Sequence, residues 1–201
     1  MADVHQRNKE CIAGLRAALY DLEPNGLKDE LGKYFTPKAT IHMAYPLDNL
    51  EGPEELYEKA YAPLIHAVPD LERRDIIVMA GPSGEHNWVG CAGHYVGVFE
   101  RHWLDIPPTF HPVAMRFHEF YRIEDGRIVE MQSLWDIPQV MMQARAWPMT
   151  PSLGVNWSAP APAPQNGIVS GPRDEAQSEA SKKLVLDMLA GGATRAEILD
   201  S

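Results

Sequence analysis

The stretch Val113–Asp136, VAMRFHEFYRIEDGRIVEMQSLWD, decides how the chain folds. Two runs rich in β-branched and aromatic residues flank Glu124-Asp125-Gly126, a turn with glycine where a positive φ is wanted. The reading is a β-hairpin, with strands over 113–123 and 127–135 and a short helix over 136–146. Upstream, Trp88–Arg101 is a long strand whose Gly90, Gly93 and Gly97 argue for bulges or a sharply curved sheet. It is joined to the hairpin by the rigid Ile106-Pro107-Pro108-Thr109 and preceded by the turn Gly81-Pro82-Ser83-Gly84. A further strand covers 71–79.

The N-terminal part has a different period. Ile12, Leu15, Leu19 and Leu22 predict a helix over 8–22, stopped at Pro24-Asn25-Gly26. A short strand follows at 38–45. Gly52-Pro53-Glu54-Glu55 opens a second helix, which Pro63 should kink or end. Helices followed by long hairpin-linked strands argue an α+β class, with helices packed on one face of a curved antiparallel sheet. A sheet curved that way encloses a hollow where small ligands bind.

The 201 residues suit one domain with extra pieces. Residues 1–147 form that domain. Residues 148–172 carry six prolines, including APAPAP at 159–164, and read as an extended linker or arm. Residues 173–201 hold a helix expected over 174–189, with Ala180, Leu184, Val185 and Met188 on one side and Gly191-Gly192 at its end. KKLVLDML (182–189) has a weak likeness to KECIAGLRAAL (9–19), so this helix also reads as the start of a second, incomplete copy of the domain.

The net charge of −10, with no basic stripe, disfavours nucleic acid as a partner. No apolar run is long enough to span a bilayer, and MADVHQRNKECIAG lacks the form of a secretory signal, so a cytoplasmic location and no membrane partner are expected. Cys11 and Cys91 read as unpaired thiols. His102, His111 and Asp105 gather around one loop, yet there is no helical His-x-x-x-His and no tight ligand set, so no metal is expected.

PDLERRDIIV (69–78), GHYVGVFERHWLDIPPT (93–109) and RFHEFYRIEDGRIVEMQSLWD (116–136), in that order, resemble the SnoaL-like polyketide cyclases of the nuclear transport factor 2-like superfamily. The resemblance covers about residues 8–146. It implies a cone-shaped α+β fold with helices on the concave face of the sheet and a homodimer through the outer face. It also implies a pocket for a small organic ligand, polyketide-like or keto. The implied chemistry is cofactor-free acid–base work such as aldol-type cyclisation, isomerisation or dehydration; the alternative on the same cone is a non-catalytic small-molecule-binding protein.

Such chemistry needs a base beside an acidic C–H, a donor for the enolate and an acid for the new alkoxide. Asp136 is the first candidate, placed by the family's Trp-Asp pattern; as an aspartate before a helix it also suits an N-cap. His118 is the second, since imidazole carries protons near neutral pH. Arg116 shares its strand face. Phe120 argues that the His118 face is the interior, while Phe117 and Tyr121 make the opposite case; if the opposite face is the interior, Glu119 replaces His118 as the candidate. His94, Trp135, Gln132 and Tyr45 complete the substrate-binding set. The chain departs from the family in two places. Gln132 stands where a tryptophan is usual, and if the family's acid aligns near this point, neither Gln132 nor Ser133 can serve as one. Asp105 and Phe110 stand where glycines are expected.

Overall fold

The computed structural model describes residues 3–20, 24–150, 167–169, 171–172 and 174–199. Four strands form its centre: β3 (Glu72–Ser83), β4 (His86–Val98), β5 (Pro112–Glu124) and β6 (Arg127–Trp135), each antiparallel to the next. β1 (Phe35–Met43) joins parallel to β6 and carries the short β2 (Asn49–Glu51) on its far side. β7 (Gly167–Ile168) lies parallel to the other edge strand, β3. The sheet order is therefore β2-β1-β6-β5-β4-β3-β7. The expected hairpin is present with the turn at Asp125-Gly126, φ +49° and +73°.

The glycines of β4 explain the curvature. A Cβ on Gly93 would lie 2.1 Å from the Arg74 carbonyl oxygen, and one on Gly97 would lie 2.4 Å from a Val68 methyl. Only glycine allows these approaches. Opposite Gly93, the register of β3 shifts between Asp75 and Ile77, a bulge that bends the strand.

The helical side differs from the sequence reading in instructive ways. The single helix expected over 8–22 is two, α1 (Val4–Cys11) and α2 (Ala13–Tyr20), meeting at Ile12. Residues 21–23 lie outside those described. α3 (Pro24–Tyr34) was not foreseen: proline ends one helix but has no N–H to lose at the start of the next. The helix after Gly52 begins as α4 (Gly52–Glu55) and widens to a π-helical segment over Leu56–Tyr61. It closes as α5 (Ala62–Ala67), with Pro63 in the first turn. The π-helical segment lies just before Pro63, which sits in the first turn of α5 where its missing N–H costs little.

α6 (Ile137–Gln143) follows β6 and is tied to β5 through Gln139 and Gln143, which bond the backbone of Arg116 and Ala114. Leu15, Leu19, Leu27, Leu31 and Leu56 pack against the concave face of the sheet with Phe35, Phe117, Tyr121 and Trp135. α7 (Glu175–Leu199) does not stop at Gly191-Gly192; helix formers on both sides carry it through at a cost of about 1 kcal/mol per glycine. Of the Pro-rich stretch, residues 151–166 lie outside those described. Among the described residues no helix is long and apolar enough to cross a membrane.

Candidate functional site

Along β5, Met115, Phe117, Glu119 and Tyr121 are buried while Arg116, His118 and Phe120 are exposed. The inner face is thus the Glu119 face. Period-two alternation leaves no other arrangement for a strand packed on one side.

The inner face carries a charged cluster inside an apolar shell. Glu119, fully buried, accepts from four side chains: Arg73 Nη1 at 2.5 Å, Tyr121 Oη at 2.5 Å, Trp135 Nε1 at 3.0 Å and Tyr95 Oη at 3.2 Å. Arg73 also donates through Nε to Asp75 at 3.1 Å, and Arg16 donates to the other Asp75 oxygen at 2.8 Å. Two cations and two anions therefore balance. The Arg73 guanidinium sits 4.1 Å from the Phe117 ring centroid, a cation–π contact. The Tyr61 and Tyr95 hydroxyls are 3.1 Å apart. Burial first, and then the Glu119 charge, push the phenols of Tyr61, Tyr95 and Tyr121 above their ordinary range, so they stay protonated donors. Burial opposes the Arg73 charge, but Glu119 above all and Asp75 outweigh it and hold the Arg73 proton.

These groups and their neighbours fill the cone. Among the described residues, one interior cavity of about 10 Å³ is bounded by Leu64, Tyr95, Phe99, Trp103, Met115 and Val140, room for at most one water. Asp105 and Phe110, in the loop beyond Trp103, have φ of +62° and +56°. This is the conformation for which the expected glycines are suited.

Most of the candidates read from sequence gather elsewhere, on the outer face of the sheet. His94 pairs across strands with Arg116, and His118 lies two residues further along β5. The Asp136 backbone N–H donates to the Arg116 carbonyl, and its carboxylate caps α6 by accepting from the Gln139 N–H at 3.1 Å. His94 is only 6 % exposed, and its Nδ1 has no hydrogen-bond partner. Burial, then Arg116, then His118 lower its pKa, and Asp136 opposes them. Next to this group, His118, His42, Gln132, Ser133, Phe120 and Leu134 line an open hollow of about 480 Å³. Gln132 and Phe120 continue into a second hollow of about 450 Å³ with Trp88 and Met79.

The structure thus brings His94, Arg116, His118 and Asp136 together, with Gln132 beside them. It places Trp135 on the opposite face, and Tyr45 in a loop with 83 % of its surface exposed. The sequence reading missed Arg73, Asp75, Tyr61 and Tyr95. One signal was present: Arg73 and Asp75 occupy the same strand phase as Leu71, where an apolar residue is expected. Among the described residues no three His, Cys, Asp or Glu side chains stand close enough to hold a metal ion.

Solved structures share this architecture. AclR, a candidate hydroxylase from Streptomyces galilaeus, is 16 % identical with a TM-score of 0.58, covering 92 % of this chain and 96 % of its own. A candidate SnoaL-like polyketide cyclase from Jannaschia sp. CCS1 is 22 % identical with a TM-score of 0.57, covering 74 % and 98 %. IdmH, a candidate polyketide cyclase from Streptomyces antibioticus, is 22 % identical with a TM-score of 0.54, covering 68 % and 96 %. These likenesses concern the fold. No curated protein matches by sequence. The sequence profile of the SnoaL-like polyketide cyclases, in contrast, matches residues 14–144, and with the fold and the ordered strand motifs it establishes that this chain belongs to the SnoaL-like polyketide cyclase family.

Proposed function

We propose that the chain is a cofactor-free acid–base catalyst acting on a small carbonyl compound, by aldol-type closure, isomerisation or dehydration. The observation that carries the reading is the grouping of His94, Arg116, His118 and Asp136 on the outer face, where His94 pairs with Arg116 across strands and the Asp136 N–H donates to the Arg116 carbonyl. A histidine with a lowered pKa is neutral at pH 7 and can accept a proton from carbon. The His94 imidazole, whose Nδ1 is buried without a hydrogen-bond partner, is the candidate base. The Arg116 cation steadies the enolate oxygen that forms. The proton passes from the His94 imidazolium to the product through His118, which faces the hollow in which a ligand fits, while the Asp136 carboxylate stabilises the imidazolium.

The outer face also supports a homodimer. Met79, Phe120 and Leu134 expose 55, 45 and 56 % of their surfaces there, and apolar patches of that kind mark contact sites. A partner over this face walls the hollows from water, as such chemistry requires. Two cysteines outside any disulfide fit a reducing, cytoplasmic compartment.

The test is deuterium exchange at the acidic carbon of a 1,3-dicarbonyl probe, followed by NMR. The wild type should catalyse it, and His94→Gln and Asp136→Asn should each lose about 100-fold or more with an unchanged melting temperature. Full activity in both variants would remove the outer cluster from the mechanism. The second reading is a non-catalytic binding protein that takes its ligand in the open hollow beside His118. That reading is supported if a ligand binds while the wild type exchanges no protons.

A further inference from the structure

α7 is a single helix of 25 residues, about 37 Å long. Every side chain from Glu179 to Ala190 is exposed. Leu184, Val185, Met188 and Leu189, spaced by one, three and four, form an apolar stripe exposed by 71, 49, 65 and 61 %. A lone helix is marginal in water, and its stability comes from packing such a stripe.

The chain carries a second uncovered apolar surface, the outer sheet face with Met79, Phe120 and Leu134. The two surfaces meet at one rim. Met79, Ala80, Gly81 and Pro82 line the outer hollow beside Trp88 and Phe120, and the same four residues line a gap against Asp174, Gln177 and Ser178 at the start of α7. The base of the helix is clamped there: β7 pairs with β3, and Lys9 Nζ donates to the carbonyls of Val169 and Gly171 at 2.6 and 2.7 Å. Fixed in this way, α7 leaves its own sheet face open.

We propose that α7 is an exchanged arm. In a homodimer, each copy lays the Leu184–Leu189 stripe of α7 across the outer sheet face of the other, over Met79, Phe120 and Leu134. A second copy is the occupant because one chain supplies both surfaces at a common rim. A two-fold axis beside that rim engages each helix with the other sheet and leaves neither patch uncovered. The reach suffices: crossing from β3 to β6 takes about 14 Å at strand spacing, well within the helix length. This inference rests on the outer-face dimer proposed above.

The experiment uses the full chain in a Cys11→Ser background. Sedimentation velocity across the micromolar range should show a dimer. Leu184→Glu/Met188→Glu, both at exposed sites, should raise its dissociation constant about 100-fold or more, and Met79→Glu/Leu134→Glu should do the same. Copies bearing Met188→Cys, mixed with copies bearing Leu134→Cys, should form a disulfide-linked pair. If the helix variant stays a tight dimer while the sheet variant dissociates, the outer-face dimer stands and the exchanged arm falls. If a chain bearing both cysteines links only to itself, the helix serves its own sheet and the exchange is overturned. A wild type monomeric throughout would overturn both the dimer and the arm, and would point to a different protein as partner of α7.

Discussion

At the scale of single residues, the charged cluster shows where sequence reading stops. In Arg116-Phe117-His118-Glu119-Phe120-Tyr121, aromatic residues fall on both phases, so alternation alone does not name the inner face. What decides it is non-local: Arg73 on β3, Tyr95 on β4 and Trp135 at the end of β6 all reach Glu119. None of these partners is close to it in sequence. Glu119→Gln leaves Arg73 buried without its main counter-charge and should cost about 3–5 kcal/mol in urea unfolding. Arg73→Met/Glu119→Leu, which leaves the Arg16–Asp75 pair in place, should recover most of the loss. A single variant as stable as the wild type would mean that the cluster contributes nothing to the fold. His94 gives the stability a pH dependence. Burial, Arg116 and His118 hold its pKa below the ordinary 6.5. In that range the unfolded chain takes up a proton that the folded chain refuses. Stability should therefore be full above about 6.5 and decline as pH falls toward the folded value, with a shallower decline in His94→Gln. Parallel unfolding curves for the two proteins would refute this.

At the scale of elements, the hairpin, the capping role of Asp136 and the long β4 were legible, because turn chemistry and period-two patterns are local. The break at Ile12, the third helix and the π-helical segment were not. Proline at positions 24 and 63 signals an interruption, but packing decides whether the helix stops, restarts or widens. Tyr61 lies in the widened turn, which aims it at Tyr95. The loop between β4 and β5 shows a departure whose meaning the backbone supplies. Phe110 has φ +56° and is 69 % exposed, so its ring contributes little to set against the strain. The left-handed region costs a non-glycine residue about 1–2 kcal/mol, while glycine loses about 0.5–1 kcal/mol in chain entropy. Phe110→Gly should therefore be more stable than Phe110→Ala by about 0.5–1 kcal/mol, the reverse of the usual order. Equal urea midpoints for the two would show that the loop holds no strain.

At the scale of the molecule, class and architecture were readable from the order of helices and strands, and the family from motifs spread over three strands. The state of the interior was not. A curved sheet under helices implies a hollow, but whether the hollow stays open depends on the summed volumes of side chains from many elements. Here Trp135, Tyr61, Tyr95 and Phe117 pack against one another inside it, and the cavity bounded by Tyr95, Phe99 and Trp103 among the described residues holds about 10 Å³. The outer face, which the same pattern leaves to solvent, carries the larger hollows and the titratable group. The helix that could cover it lies outside the matched residues 14–144.

The two ends of the sheet carry one more consequence. β2 has three residues and β7 two, and each lies outside a strand of nine or more. A long bare strand presents a row of unpaired amides on which another chain can assemble. Here a stub on each side takes up part of that row, and on the β3 side the Lys9 ammonium holds the stub down. The folded protein thus offers only short stretches of backbone for edge-to-edge polymerisation, although five of its described strands have nine residues or more.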